Sequence, residues 1–140
     1  MRYPLDLRPD QNHTIIAQTI DVPEALTFGD DEEQARMHAV DALICALAGY
    51  IDDRRPVPKP SPPRGRPVAE LPPMVAAKLA IYSSMQDQSM TPATLAARLG
   101  CDPRQVRRLL DLDHASTLAQ LERALAALGK RLVIEVRSAA

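Results

Sequence analysis

Apolar and polar positions alternate along residues 2–8, with Tyr3, Leu5 and Leu7 on one side and Pro4, Asp6 and Arg8 on the other. A period of two predicts a half-buried strand. Pro4 cannot donate to a ladder, so it argues for an edge strand or for the strand's very start. Pro9-Asp10-Gln11-Asn12 is turn chemistry, and the β-branched run from His13 to Ile20 predicts the hairpin partner. A bend at Asp21–Glu24 leads to a short third strand over Ala25–Phe28, closed by Gly29. The period then becomes helical: Ala35, Ala39, Leu43, Ala46 or Leu47, and Tyr50 form one stripe that would cover a sheet face. Asp30 is expected to cap this helix, with Glu33 in the capping-box position. Asp31, Glu32 and Glu33 place negative charge where the helix dipole favours it. Asp52-Asp53-Arg54-Arg55 is expected to end the helix.

Residues 56–73 hold eight prolines. Such a stretch is no helix interior or central strand, and it predicts a semi-rigid spacer at a domain boundary. The expected domains are 1–72, including the start of this linker, and 73–140. Pro67–Leu71 is the one run within it suited to an edge strand. Met74–Met85 then reads as a helix with Val75, Leu79 and Tyr82 or Ile81 inward. Thr91–Asp111 predicts two short helices joined by a tight turn. Thr91 caps the first with Pro92 behind it, Leu95, Ala96 and Leu99 recur at helical spacing, and Gly100 stops it. Asp102 and Pro103 repeat the start signal, with Val106, Leu109 and Leu110 inward. Ser116 or Thr117 is expected to cap a further helix through Leu128, ended by Gly129. Leu132–Val136 predicts a last strand with no partner in its own domain, so a second copy is its expected partner. The fold class is α+β, a β-rich first half followed by a helical second half.

The outward residues of the second short helix are Arg104, Gln105, Arg107 and Arg108. A helix–turn–helix that begins in this way suits the major groove of DNA. Gln105 matches adenine in bidentate fashion, Arg104 or Arg107 matches guanine, and Arg108 suits phosphate. Arg98 and Thr117 are candidate backbone contacts that fix the register. The net charge of −1 supports this division, because it hides an asymmetry. Residues 1–72 carry 8 Lys/Arg against 12 Asp/Glu, net −4, and residues 73–140 carry 9 against 6, net +3. The basic half is the half with the paired helices, as phosphate contact requires.

With one Phe, three Tyr and no Trp, the cores must be built from Leu, Ile, Val and Ala. Cys45 and Cys101 lie far apart in helical patterns and are expected to be buried thiols. His13, His38 and His114 are scattered, and Asp6, Asp10, Asp21, Asp30 and Asp31 read as turn, cap or lone strand carboxylates. No metal-ligand spacing, nucleophile elbow or glycine-rich phosphate loop appears, so neither a cofactor nor an enzyme is expected. No apolar run reaches the roughly 18 residues of a membrane span, and MRYPLDLRPD lacks a signal-peptide core. A cytoplasmic protein is therefore expected. Two other functions stay open on these residues: a stand-alone regulator whose first half senses a small ligand, and a metal-dependent nuclease using Asp6.

Four stretches together resemble the HicB antitoxins of bacterial toxin–antitoxin pairs. They are MRYPLDLRPD, IDVPEALTFGDDEEQA, ALAGYIDDRRPVPKPS and the helix–turn–helix, and they span essentially the whole chain. The segment Val22–Gly29, followed by an acidic helix start, is the more specific signature; the helix–turn–helix is shared with many repressors. The resemblance implies a partial, degenerate ribonuclease H-like β-β-β-α-β domain that binds and blocks a small mRNA-cleaving HicA toxin. It implies that the second half binds the promoter of the pair's own operon; the unpaired terminal strand adds the expectation of a homodimer or higher oligomer through that half. Gln11-Asn12-His13 stands where many relatives carry a Gly-Gly-Tyr-like hairpin turn.

Overall fold

A computed structural model describes residues 1–139. They divide into two compact units, Met1–Ala76 and the chain from Ala77 onward.

The first unit has the element order β1 (Arg2–Pro9), β2 (Ile15–Thr19), β3 (Leu26–Gly29), α1 (Glu32–Asp52) and β4 (Val68–Glu70). The sheet order is β3-β2-β1-β4, every neighbouring pair antiparallel. This is the β-β-β-α-β order, and the run expected at Pro67–Leu71 supplies the last strand. Contrary to the edge position that Pro4 suggests, β1 lies inside the sheet, paired to β2 from Leu5 onward and to β4 over Arg2–Pro4. Pro4 is tolerated because it sits where the β1–β2 ladder runs out. Its carbonyl still accepts from Ile20 N at 3.1 Å, so one ladder donor at the ladder's end is all the ring removes. β2 starts two residues later than its composition suggests, since His13 takes a positive φ of 63° and completes the turn.

Tyr3, Leu5, Ala17, Thr19 and Ala25 are buried, as are Ala35, Ala39, Leu43, Leu47 and Tyr50 of α1. Small residues at the start of this stripe allow close approach. A Cβ on Gly29 would stand 2.3 Å from the Ala35 backbone nitrogen, so only glycine fits there. The α1 cap lies one residue beyond the expected Asp30. Asp31 accepts from Gln34 N at 2.8 Å, while Gln34 Oε1 accepts from Asp30 N at 2.7 Å. Gln34, not Glu33, therefore closes the reciprocal pair, because the helix starts at Glu32.

The proline-rich segment is fastened to this unit. Tyr3 Oη donates to the Pro58 carbonyl at 2.7 Å, and Leu5 N donates to the Pro67 carbonyl at 2.8 Å. Ser61 N donates to Asp21 Oδ2 at 2.7 Å, and the Ser61 hydroxyl donates to the other carboxylate oxygen. Burial, with a smaller contribution from Asp21, pushes the Tyr3 phenol up to about 12.

Helix α2 (Pro73–Asp87) leads into the second unit, followed by α3 (Pro92–Leu99), α4 (Pro103–Leu110) and α5 (Leu118–Ala127). Leu79, Leu95, Ala96, Val106, Leu109, Leu112, Leu121, Ala124, Leu125 and Leu128 are buried. Aliphatic side chains fill most of both cores, as the composition predicts, but all three tyrosines, Tyr3, Tyr50 and Tyr82, are buried as well. Thr117, rather than Ser116, caps α5 in a full capping box with Gln120.

Two expectations fail here. Leu132–Val136 is not a strand in the single chain: residues 130–139 have no regular structure, and Val133, Ile134 and Val136 are exposed. A strand needs a partner for its ladder, and this unit supplies none. The cysteines are not buried either; Cys45 is exposed and Cys101 is half-buried. Cys45 lies between Leu43 and Leu47 in sequence, but two positions along a helix turn it to the opposite face.

Candidate nucleic-acid interface

Helices α3 and α4 are set by their termini. The Thr91 hydroxyl accepts from Thr94 N at 3.2 Å with Pro92 just inside the helix. Gly100 then takes the left-handed conformation, φ 67°, and ends α3. Only two residues later Asp102 accepts from Arg104 N at 2.8 Å and starts α4. Each such cap contributes about 1 kcal/mol. The turn is thus held short by local chemistry, and α4 is fixed relative to α3 through buried Leu95, Ala96, Val106 and Leu109.

The opposite face of α4 is polar. Arg104, Gln105, Arg107 and Arg108 are all exposed, and the Arg104 side chain is 80% accessible beside Asp102 at 4.0 Å. An exposed pair at that separation adds little stability, so Arg104 keeps its freedom to meet another anion. The structure brings these four residues together on one helix face. Arg98, on α3, is exposed and donates to the Ala127 carbonyl at 3.3 Å. Thr117 is exposed, but its hydroxyl is already the cap of α5, accepting from Gln120 N at 3.2 Å.

The far end of α4 is held by a residue that the sequence pattern does not single out. Lys78 of α2 is fully buried. Its ammonium donates to the carbonyls of Arg108 and Asp111, both at 2.8 Å, and to Ser116 Oγ at 3.0 Å. These bonds satisfy all three donors and close two of the free carbonyls at the C-terminus of α4. Burial lowers the Lys78 pKa from its ordinary value, and the Asp111 carboxylate pulls it back up. A cation at a helix C-terminus also meets the negative end of the dipole. Helical periodicity marks Lys78 as a neighbour of the apolar stripe. Nothing local reveals that acceptors 30 and 33 residues away complete its shell.

On the flank of α4 lies a cavity of about 120 Å³. Gln105, Arg108, His114, Ser116, Gln120 and Arg123 supply its polar lining. Arg123 Nη2 donates to the Leu99 carbonyl at 3.3 Å.

The first unit offers a different kind of surface. Leu26 and Phe28 of β3 are 54% and 61% exposed, although Phe28 is the only phenylalanine in the chain. They sit beside Gln18 and Ile16 of β2 by register. Asp6, the carboxylate that a nuclease would need, instead accepts from Arg8 Nη1 at 2.8 Å. Among the described residues no three His, Cys, Asp or Glu side chains gather into a metal-sized group. No helix there is long and apolar enough to cross a membrane.

Comparison with known proteins adds independent findings. The family described as HicB-like antitoxin of bacterial toxin–antitoxin system matches residues 2–80. Antitoxin HicB 2 of Photorhabdus laumondii is 38% identical over 132 residues, 94% of each chain. Antitoxin HicB of Escherichia coli K12 is 35% identical over 94% of this chain and 96% of its own. Antitoxin HicB of Pseudomonas fluorescens is 37% identical over 85% of this chain and 83% of its own.

Proposed function

The chain belongs to the HicB-like antitoxin family of bacterial toxin–antitoxin systems, and from that premise we propose that its two units divide two tasks. The first unit binds and neutralises a HicA-type, mRNA-cleaving toxin. The second binds operator DNA and represses the pair's own operon. The observation that carries this reading is the likeness to proteins named antitoxin HicB over nearly the whole chain, beyond the first unit alone.

Charge supports the division. The stretch 1–72 is net −4, suited to covering an RNA-cleaving partner that must itself be locally cationic. Exposed Leu26 and Phe28 give that surface an apolar patch for the toxin. The stretch 73–140 is net +3, and three of its exposed arginines, Arg104, Arg107 and Arg108, lie along α4. In this reading Arg104, Gln105 and Arg107 meet base edges, Arg108 meets phosphate, and Arg98 and Thr117 fix the register. The unpaired arm at Leu132–Val136 joins two copies, so that two α4 helices reach half-sites one turn apart. The protein acts in the cytoplasm, where both toxin and operator reside.

One experiment tests both halves. The chain is co-expressed with its HicA-type toxin in cells carrying an operator-driven reporter. Parent chain should restore growth and silence the reporter; Arg104→Ala should restore growth while leaving the reporter active. Removing a bidentate pair between Arg104 and a base corresponds to about 1–3 kcal/mol of discrimination. No growth rescue by the parent chain refutes the antitoxin task. Full repression by the Arg104 variant refutes the assignment of α4.

A further inference from the structure

The cavity on the flank of α4 has no assigned role, and its lining is selective in charge. Two cationic side chains, Arg108 and Arg123, line it from different helices, with Gln105, His114, Ser116 and Gln120 completing the polar wall. No carboxylate is among its lining residues. Its volume of about 120 Å³ equals the share of about four liquid waters, room for one tetrahedral anion. The Lys78 ammonium stands behind the same wall, donating to Ser116 Oγ at 3.0 Å. Arg123 is tethered at one nitrogen by the Leu99 carbonyl, which sets the guanidinium beside the turn between α3 and α4. The start of α5, capped by Thr117 and Gln120, adds the positive end of a ten-residue helix.

We propose that this cavity seats one backbone phosphate of the bound DNA, with Arg123 and Arg108 as its two charged donors. The inference rests on the operator-binding reading above. A helix lying in a major groove about 12 Å wide has a phosphate strand along each flank. The cavity opens on one flank of α4, next to the exposed face that carries Arg104 and Arg107. Arg123 and the neutral donor Gln120 thereby join the residues that meet DNA, and neither lies on the paired helices that the sequence pattern marks. A planar guanidinium suits two phosphate oxygens at once, so Arg123 positions the α4 register as well as adding charge.

The ligand chemistry, a tetrahedral phosphate oxyanion, has two sources: the DNA backbone and free phosphate. The test uses the full chain. Binding to operator and to unrelated DNA is measured across salt concentrations for the parent, Arg123→Met and Arg123→Lys, with thermal melts confirming folding. Arg123→Met keeps an aliphatic stem without the charge. It should weaken both DNAs alike, by roughly tenfold, and reduce the salt slope by about one. Arg123→Lys should restore the slope and only part of the affinity. A neutral methylphosphonate placed at each backbone position in turn should cost the parent affinity at one phosphate per half-site, and cost Arg123→Met nothing further there. An unchanged slope in Arg123→Met, or no phosphate coupled to residue 123, overturns the proposal while leaving operator binding intact. In parallel, inorganic phosphate is titrated into the parent and into Arg123→Met. Weak binding of phosphate that DNA displaces supports the backbone seat. Tight phosphate binding that depends on Arg123, with DNA binding independent of it, assigns the cavity to a free anion and overturns the seat. A parent chain that binds no operator at all removes the DNA reading itself, and the seat with it.

Discussion

Replacing Lys78 by methionine removes one buried ammonium and keeps most of the side chain's length. The ammonium holds the Arg108 and Asp111 carbonyls at 2.8 Å and Ser116 Oγ at 3.0 Å. Hydrogen bonds from a charged group contribute about 1.5–3 kcal/mol each. Against their sum stands the cost of burying the cation, several kcal/mol, which is why burial lowers its pKa. The substitution relieves that cost, but it leaves two part-buried carbonyls without their donor, at up to about 1–3 kcal/mol each. The balance is a loss of about 2–4 kcal/mol. For a unit of this size each kcal/mol corresponds to about 4–8 °C, so the helical melt should fall by roughly 8–32 °C. Circular dichroism at 222 nm on the full chain reads this directly. Below the new midpoint, operator binding should still weaken, because the C-terminal end of α4 is no longer held. A Lys78→Met protein that melts within about 2 °C of the parent would refute the claim that Lys78 fastens α4.

Three further outcomes follow from single residues. The Thr19 hydroxyl is buried without a partner, so Thr19→Val should be neutral or raise stability by up to about 1 kcal/mol in urea denaturation; a clear loss would mean a partner exists. Tyr3 has a folded pKa of about 12 against 10.0 unfolded, so the unfolded chain loses its proton first as pH rises. Stability from this group is fully present below pH 10 and declines by about 2–3 kcal/mol through pH 12. Alkaline melts of Tyr3→Phe should lack that part of the decline, leaving the smaller contribution of Tyr50, raised chiefly by its hydrogen bond to Glu24. Ending the chain at Gly129 removes the exposed arm, and sedimentation should then show weaker self-association, with operator binding much reduced. A truncated chain that assembles normally would exclude the arm from the interface.

Most of the helical architecture was legible because its signals are local. Thr91-Pro92, Asp102-Pro103, Gly100 and the Thr117 cap each act within one helical turn, and each lies where its chemistry demands. The α1 stripe was legible for the same reason, apart from a one-residue shift of its cap to Asp31. What the pattern missed depends on distant partners. Pro4 reads as an edge residue until β4 arrives from 64 residues away to pair with it. Lys78 draws no notice in the sequence, because the Arg108 and Asp111 carbonyls that surround it are 30 and 33 residues away. The cavity at Arg123 draws on α4, α5 and the segment between them, a grouping that no spacing along one helix reveals.

On the proposed dimer the C-terminal arm falls in a third category, in which the pattern is that of a strand and the partner would lie outside the chain. Leu132, Val133, Ile134 and Val136 have the composition of a strand, flanked by Lys130, Arg131 and Arg137. Alone, the segment exposes Val136 to 92% and gains neither a ladder nor a core. Leaving these apolar side chains in water forgoes about 25 cal/mol for each Å² that a partner would cover. A strand from a second copy would recover that area and satisfy the backbone at once. Each arm would then order only in the assembled state, and the entropy of ordering it would be lost at assembly. Two-copy binding to a two-fold operator and folding of the arm are then one linked equilibrium. Operator DNA should therefore raise self-association by the same factor by which self-association raises operator affinity. Unequal factors in the two measurements would show that the arm and the DNA-binding face are not coupled through a dimer.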